Sequence, residues 1–407
     1  MSPPETSATS RPEGGAAPTM TRPLTLGVET SCDDTACAVV DAAGRVLSSV
    51  VSSQLRVHAP YGGVVPELAS REHLANWPRV LESALEQAGI ELADIDRVAA
   101  TRGPGLVGSL LVGLNLGKAI AFGLGRPFFA VHHLEGHLFS PYLHLDARPA
   151  EPLPPRFIGL VVSGGHTSLV RVQSAGGTIE ALGATRDDAM GEALDKIGKR
   201  LGLPFPGGPH VDRIAELANL GAARTEGRGT RFKVARCGDS LDFSYSGLKS
   251  QALREIERLE ARGVATRARI QRPIEGGTGQ DADPALGLDP AAVRLLAEFR
   301  RAAVLQVIDR LERLRQRQRF EALAVSGGVA ACVELRRELA TWCEERGVEL
   351  ALVPLRLSGD NAAMIAFAAA VREATAEGAT PGSGAVGAQP DWSTPARSRL
   401  MLGTPPG

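Results

Sequence analysis

The chain is short of cysteine, and the five it has (Cys32, Cys37, Cys237, Cys332 and Cys343) are scattered. No CxxC pair occurs, which removes both a zinc-ribbon spacing and a disulfide framework and points to a reducing, cytoplasmic setting. Neither sign of charge is in excess: 45 Lys and Arg against 46 Asp and Glu leave a formal net charge of -1. No global positive field therefore marks a nucleic-acid binder, and contact with RNA would need a local basic patch or a partner's surface. An uninterrupted membrane-spanning run is also missing. The longest apolar stretch, residues 105–125, carries Asn115, Lys118 and six glycines; it predicts a buried helix and no membrane. Residues 1–23 lack the apolar core of a signal peptide, and their two Glu beside two Arg speak against a transit peptide. A disordered tail is expected there, with Met20 as an alternative start.

The chain does have the length for two domains, at 407 residues, and 43% hydrophobic residues to fill their cores. Two passages share one pattern. Residues 24–51 read as an apolar strand ending in Glu29-Thr30-Ser31, a polar corner at Asp33-Asp34, then strand, Gly44 turn and strand. Residues 157–182 read as an apolar strand ending in Ser163-Gly164-Gly165-His166-Thr167, then strand, Gly176-Gly177 turn and strand. Each passage is followed by helical sequence and a strand–glycine unit, at residues 98–105 and 322–328. Each then supplies a further strand (128–131 and 349–353) that runs into polar residues, His132–His137 and Ser358–Asn361. The order hairpin, helix, strand, helix, strand, helix appears twice. The fold class expected is α/β, a duplicated two-domain actin-like (ASKHA, ribonuclease H-like) fold with a nucleotide cleft between the halves. The expected domains are 24–150 and 151–372, with a flexible insertion near 254–290 and a disordered tail over 373–407.

His133 and His137 stand four apart, so on a helix both imidazoles share one face and can reach one metal ion. Two surface histidines on a helix are the plain alternative. A metalloprotease motif needs Glu directly after its first histidine. Glu135 comes two positions after His133, turned about 200° round a helix and away from the pair. A third ligand should come from elsewhere, and Asp360 occupies the matching place in the second half; it can equally cap the helix beginning near Ala362. The turns Ser163-Gly164-Gly165 and Ser326-Gly327-Gly328, with the Pro206-Gly207-Gly208 corner, let backbone N–H groups approach an anion, although ordinary tight turns use the same residues. Asp33 and Asp34 can hold a phosphate-bound cation or a water, or form an exposed acidic turn. Residues 187–196 open a helix with Asp188, Glu192 and Asp195 on one side. Asp195 or Asp212 can bond ribose hydroxyls.

Several longer motifs carry a family resemblance: Gly27-Val28-Glu29-Thr30-Ser31-Cys32-Asp33-Asp34-Thr35, Tyr61-Gly62-Gly63-Val64-Val65-Pro66-Glu67-Leu68-Ala69-Ser70-Arg71, the His132–His137 run, Ser163–Thr167, Phe243-Ser244-Tyr245-Ser246-Gly247-Leu248-Lys249 and Ser358–Met364. In family order, over roughly residues 24–372, they resemble the TsaD-type tRNA N6-adenosine threonylcarbamoyltransferases, formerly described as O-sialoglycoprotein endopeptidases. The resemblance implies transfer of the threonylcarbamoyl group of threonylcarbamoyl-AMP to N6 of the adenosine 3′ of the anticodon, in tRNAs reading codons that begin with A. It implies one divalent metal ion, iron(II) ahead of zinc, on His133, His137 and Asp360. It places Val161, Val162, Ser163, Gly164, Gly165, Asp195, Gly208 and Asp212 at substrate-binding positions and Asp33 at a catalytic one. It also implies accessory subunits, a paralogous partner and an ATPase. Two departures stand out: Cys332 occupies a substrate-binding position where the family usually has Asn, and Asp34 one where Glu is common. A non-catalytic paralogue, a peptidase and a kinase on the same fold are the rival readings. The first should lack the metal residues, the second is disfavoured by Glu135, and the third by the histidine pair.

Overall fold

A computed structural model describes residues 20–61, 63–146, 153–174, 178–221, 230–268, 287–376, 392–400 and 402. The first half runs β1 (Thr25–Glu29), β2 (Asp34–Val40), β3 (Val46–Ser53), α1 (Leu55–His58), α2 (Pro66–Ala88), β4 (Arg97–Gly103), α3 (Val107–Leu124), β5 (Phe128–His132) and α4 (His133–Phe139). The second runs β6 (Arg156–Val162), β7 (Thr167–Gln173), β8 (Thr178–Ala184), α5 (Met190–Arg200), α6 (Gly207–Gly221), α7 (Ser246–Ala261), α8 (Pro290–Arg317), β9 (Ala322–Ser326), α9 (Val333–Arg346), β10 (Glu349–Leu352) and α10 (Ala362–Ala376).

The sheets are ordered β3-β2-β1-β4-β5 and β8-β7-β6-β9-β10. In each, the first three strands pair antiparallel, while the fourth and fifth join in parallel. This is the duplicated actin-like plan. Residues of β2 show why the first sheet is buried on both faces. Ala36, Ala38 and Val40 enter one core, whereas Cys37 and Val39 enter another with Trp77, Val80 and Leu114 from α2 and α3. Period-two alternation sends neighbours to opposite faces, so an all-apolar strand needs cover on both.

The cover on the inner face is α10, the last helix of the second half. It packs on β1, β2, β4 and β5 and against α4, and its residues belong to the same core cluster as Leu160, Phe299 and Val325 of the second half. Only glycine at position 27 permits this approach, because a side chain there would collide with the Ala362 carbonyl. In return α4, from the first half, packs on β6 and β9.

Several expectations need correction. The insertion near 254–290 starts later than its composition suggests: residues 254–261 finish α7, with Ile256 fully buried, and 269–286 lie outside the described residues. Apolar residues at Leu248, Ala252 and Ile256, four apart, were a helical signal hidden among charges. The tail expected over 373–407 is ordered in part. Residues 373–376 belong to α10, where Glu373 pairs with buried Arg97, and residues 392–400 lie against the first half. Of the N-terminal tail, residues 1–19 are outside the described residues, as is the Gly176-Gly177 turn. Arg22 bonds Asp96 at 2.9 Å. The apolar stretch 105–125 forms α3 as expected, but only a third of it is buried. Its inner face meets Thr30, Ala100 and Phe128 through Gly113 and Gly117, while Val107, Leu111 and Phe122 remain exposed.

Candidate metal centre and nucleotide cleft

α4 begins where β5 ends, at the inner edge of the first sheet. Its two histidines are buried, so the surface-decoration reading fails: His133 is 6% exposed and His137 0%. The Nε2 atoms of both rings face one oxygen of Asp360, at 3.5 Å and 3.2 Å. One nitrogen from each histidine and one Asp360 oxygen all lie within 4.8 Å of one another. Among the described residues this is the one such cluster of His, Cys, Asp or Glu that can hold a metal ion, and Glu135 is not in it. Asp360 is not the helix cap, a role that falls to Asn361, whose side-chain oxygen accepts the Met364 N–H at 3.0 Å.

Sequence reasoning missed the residue behind this trio. Glu29, at the end of β1, bonds His133 Nδ1 at 3.0 Å through one oxygen, which also accepts the Thr101 hydroxyl at 2.6 Å; its other oxygen takes the Ser31 N–H at 2.5 Å. A carboxylate on Nδ1 turns Nε2 toward a metal and strengthens it as a donor. The signal was a lone acid closing an otherwise apolar strand. Burial alone would lower the His133 pKa, but Asp360 and Glu29 overcome it and hold the ring well above the ordinary histidine value. Burial would likewise raise both carboxyls, yet His133 keeps Glu29 low and Asp360 well below the ordinary range. His137 is lowered, chiefly by burial, and its Nδ1 has no partner among the described residues. Two imidazole nitrogens, one carboxylate oxygen and a bracing carboxylate suit zinc or iron(II).

The third histidine of the run is structural. His132 bonds the Leu400 carbonyl through Nε2 at 3.2 Å and accepts the Leu134 N–H through Nδ1 at 3.1 Å. Burial pushes it down to about 3, so it stays neutral.

The Cys32-Asp33-Asp34 corner stands beside the trio. Burial, with help from Asp33, Asp360 and Glu29, raises Asp34 to about 7, and one of its oxygens is buried without a hydrogen-bond partner among the described residues. The corner is braced from beneath. His73 Nε2 donates to the Cys32 carbonyl at 3.1 Å, and its Nδ1 accepts from Thr35 at 2.8 Å and Gln54 at 3.1 Å.

From the second half, the Ser163-Gly164-Gly165 turn closes on itself through Ser163 N–H to His166 O at 2.8 Å. Added side chains at Gly164, Gly165 and Gly328 would meet nothing within 4 Å, so these glycines line open space. Gly327 differs: it has φ 93° and packs against the Val162 carbonyl. Val161 and Val162 are wholly buried inside β6, main chain included, so the structure does not show either of them open to a ligand. Burial, and then the neighbouring His133 and His137, lower His166 to about 4.

The acidic face expected over residues 188–195 is divided. Helix α5 starts only at Met190, and Asp188 precedes it, paired with Lys249 and Lys196. Glu192 also pairs with Lys196, at 2.9 Å. Asp195 alone turns inward and accepts the Gly208 N–H at 2.7 Å. Asp212 is braced by buried Arg300 at 2.6 Å, by the Val333 N–H at 3.1 Å and by the Cys332 thiol at 3.1 Å. Burial and Asp212 push that thiol up to about 12, so it acts as a weak neutral donor. The Phe243–Lys249 motif meets the same region through Asp187, which accepts the backbone N–H groups of Tyr245 and Ser246 at the start of α7.

Comparison with known proteins identifies the family. The family described as "TsaD: tRNA N6-adenosine threonylcarbamoyltransferase" matches residues 45–367. A tRNA N6-adenosine threonylcarbamoyltransferase of Sorangium cellulosum is 43% identical over 357 residues, covering 86% of this chain and 92% of the relative. The protein of that name from Thermus thermophilus is 44% identical over 345 residues, 84% of this chain and 91% of its own.

Proposed function

The chain belongs to the tRNA N6-adenosine threonylcarbamoyltransferase family, and from that premise we propose a reaction for the cleft. It is a transferase that forms N6-threonylcarbamoyladenosine in tRNA. The observations that support the detail are the His133–His137–Asp360 cluster and the open space at Gly164, Gly165 and Gly328.

The donor in this reading is threonylcarbamoyl-AMP. Its phosphate lies against the open Gly164–Gly165 and Gly328 turns, whose N–H groups suit an anion. Its nucleoside lies toward Asp195, Gly208, Asp212 and Cys332. One divalent ion, iron(II) ahead of zinc, on His133, His137 and Asp360 supplies Lewis-acid stabilisation of charge on the phosphate or carbonyl. Adenine N6 is a weak nucleophile because its lone pair is delocalised into the ring. Its attack on the threonylcarbamoyl carbonyl forms the N–C bond, breaks the C–O bond to phosphate and releases AMP and a proton. In this reading Asp33, in the corner between Cys32 and Asp34, takes that proton. The target adenosine sits 3′ of the anticodon in a single-stranded loop, from which a base can be turned out without opening a duplex.

Accessory protein subunits, a paralogous partner and an ATPase, belong to this reading, and exposed Leu74 on α2 with Val107 and Leu111 on α3 offer apolar surface for a protein partner. A cytoplasmic setting fits the five free cysteines. The division of the chain near residue 150 into two lobes is a proposal of the same kind, with α10 serving the first lobe. The retained metal cluster favours an enzyme over a non-catalytic paralogue.

The test supplies the protein and its accessory subunits with threonylcarbamoyl-AMP and unmodified tRNA. Modified adenosine should appear with wild type and not with His137→Ala. No product from metal-loaded wild type overturns the reading, and normal transfer by His137→Ala removes the metal from it.

A further inference from the structure

Residues 392–400 and 402 carry an arrangement that the reaction above does not use. Trp392 stacks on Phe128, with ring centroids 5.9 Å apart, and meets Phe122 edge-on at 6.4 Å. The Lys118 ammonium donates to the Thr394 carbonyl at 2.9 Å. The Arg397 N–H donates to the Arg102 carbonyl at 2.8 Å, and the Gly105 N–H donates to the Ser398 carbonyl at 3.3 Å. Glycine is required at position 103 for this contact, because any side chain would fall on the Arg397 carbonyl oxygen. Beyond these bonds the Leu400 carbonyl accepts from His132 Nε2, and Leu402 packs against the main core. The segment is a strap laid along the first half, from its outer face to the start of α4.

The hydrogen bonds fix the chemistry of His132. A carbonyl oxygen only accepts, so Nε2 carries the proton. Nδ1 is then a bare lone pair, and it accepts the Leu134 N–H as the cap of α4. The next residue is His133. A metal site depends on imidazoles held to within about half an ångström, which needs their helix anchored at its first turn.

We propose that the C-terminal strap is a positioning element for the metal cluster. The Leu400 carbonyl fixes the His132 ring, the ring caps α4, and the cap holds His133 and His137 at the spacing that Asp360 completes. This rests on the metal reading above.

Zinc ion alone, titrated in competition with a chromogenic chelator, provides the test without tRNA or adenylate. Four proteins are compared: wild type, His132→Asn, a chain stopped after residue 391, and the two changes combined. Asparagine keeps an oxygen to cap the Leu134 N–H but has no second ring nitrogen to reach Leu400. Each single change should weaken zinc binding about tenfold, at the low end of the loss usual for outer-sphere partners. The combination should be no weaker than either alone, since both cut one path. Unchanged zinc affinity in the shortened chain, with only a lower melting temperature, would make the strap a simple buttress and overturn the proposal. Losses that multiply in the combination overturn it too. If the shortened chain does not fold, His132→Asn decides alone, and wild-type affinity there overturns it. Failure of the wild type to bind zinc defeats the metal reading first.

Discussion

The residue that most sharpens the site is Glu29, because it decides which nitrogen of His133 faces the metal. Glu29→Gln keeps the shape and removes the charge, and zinc affinity should fall about 10–100-fold, the usual loss for a ligand's bracing partner. Zinc competition titration measures this. The raised His133 pKa also sets a pH dependence. Metal must displace the Nε2 proton, so zinc affinity should climb as pH rises through the folded His133 value. The sign for the metal-free protein is opposite. A raised histidine contributes stability that is complete below its unfolded pKa of about 6.5 and lost as pH rises through the folded value. Melting temperature measured with and without zinc at rising pH, starting from about 6.5, should show the two trends diverge. At Cys332 the thiol supplies only a weak bond to Asp212. Cys332→Asn should tighten AMP binding about three- to tenfold by adding one ordinary hydrogen bond, read by calorimetry. Looser binding would mean that the cleft is fitted to the thiol. Of these residues, His133, His137 and Asp360 were legible in sequence through helical spacing and the internal duplication. Glu29 was not, since it shares no element with the residues it serves.

At the scale of elements, glycines do two different jobs that one tripeptide pattern conceals. Gly164 lines open space, while a side chain on Gly191 would come within 2.6 Å of the Ser163 carbonyl and 2.8 Å of Gly164 Cα. Gly191→Ala must therefore push α5 away from the turn, at a cost of about 1–3 kcal/mol, with AMP affinity falling alongside the melting temperature. Gly164→Ala should weaken AMP binding and leave the melting temperature unchanged. Equal thermal effects from the two would remove the distinction. The ten strands among the described residues were readable from apolar runs and Gly turns. The onset of α5 was not, because Asp187 and Asp188 look like the first turn of a helix yet serve Ser244–Ser246 and Lys249 across the chain. The 392–400 strap hid for a related reason: its hydrogen bonds are made by main chain, which composition cannot reveal.

Across the whole molecule the two sheets share a core, although the outer face of the first sheet has a second cluster of its own. One cluster runs from Ala36 and Val131 through α10 to Phe299 and Leu339. Melting by calorimetry should accordingly give a single transition, where two independent lobes would give two. Zinc at a hundred times its dissociation constant should raise that transition by the equivalent of about 2.7 kcal/mol, and His133→Ala should abolish the rise. Two resolved transitions, or one that zinc does not move, would contradict this. The duplicated order of strands was visible from sequence, but the exchange of helices between halves was not, since α10 and α4 have no marker of which sheet they will cover. That exchange has a consequence for the chain as it is made. During synthesis the first sheet emerges early, yet its inner face lacks its main cover until residues 362–376 leave the ribosome. Alanine- and valine-lined, that face must wait for most of the polypeptide to follow, and at 5–20 residues per second the wait is on the order of tens of seconds. A nascent chain arrested before Ala362 should therefore hold chaperones on the first sheet, and release should coincide with the emergence of the last helix.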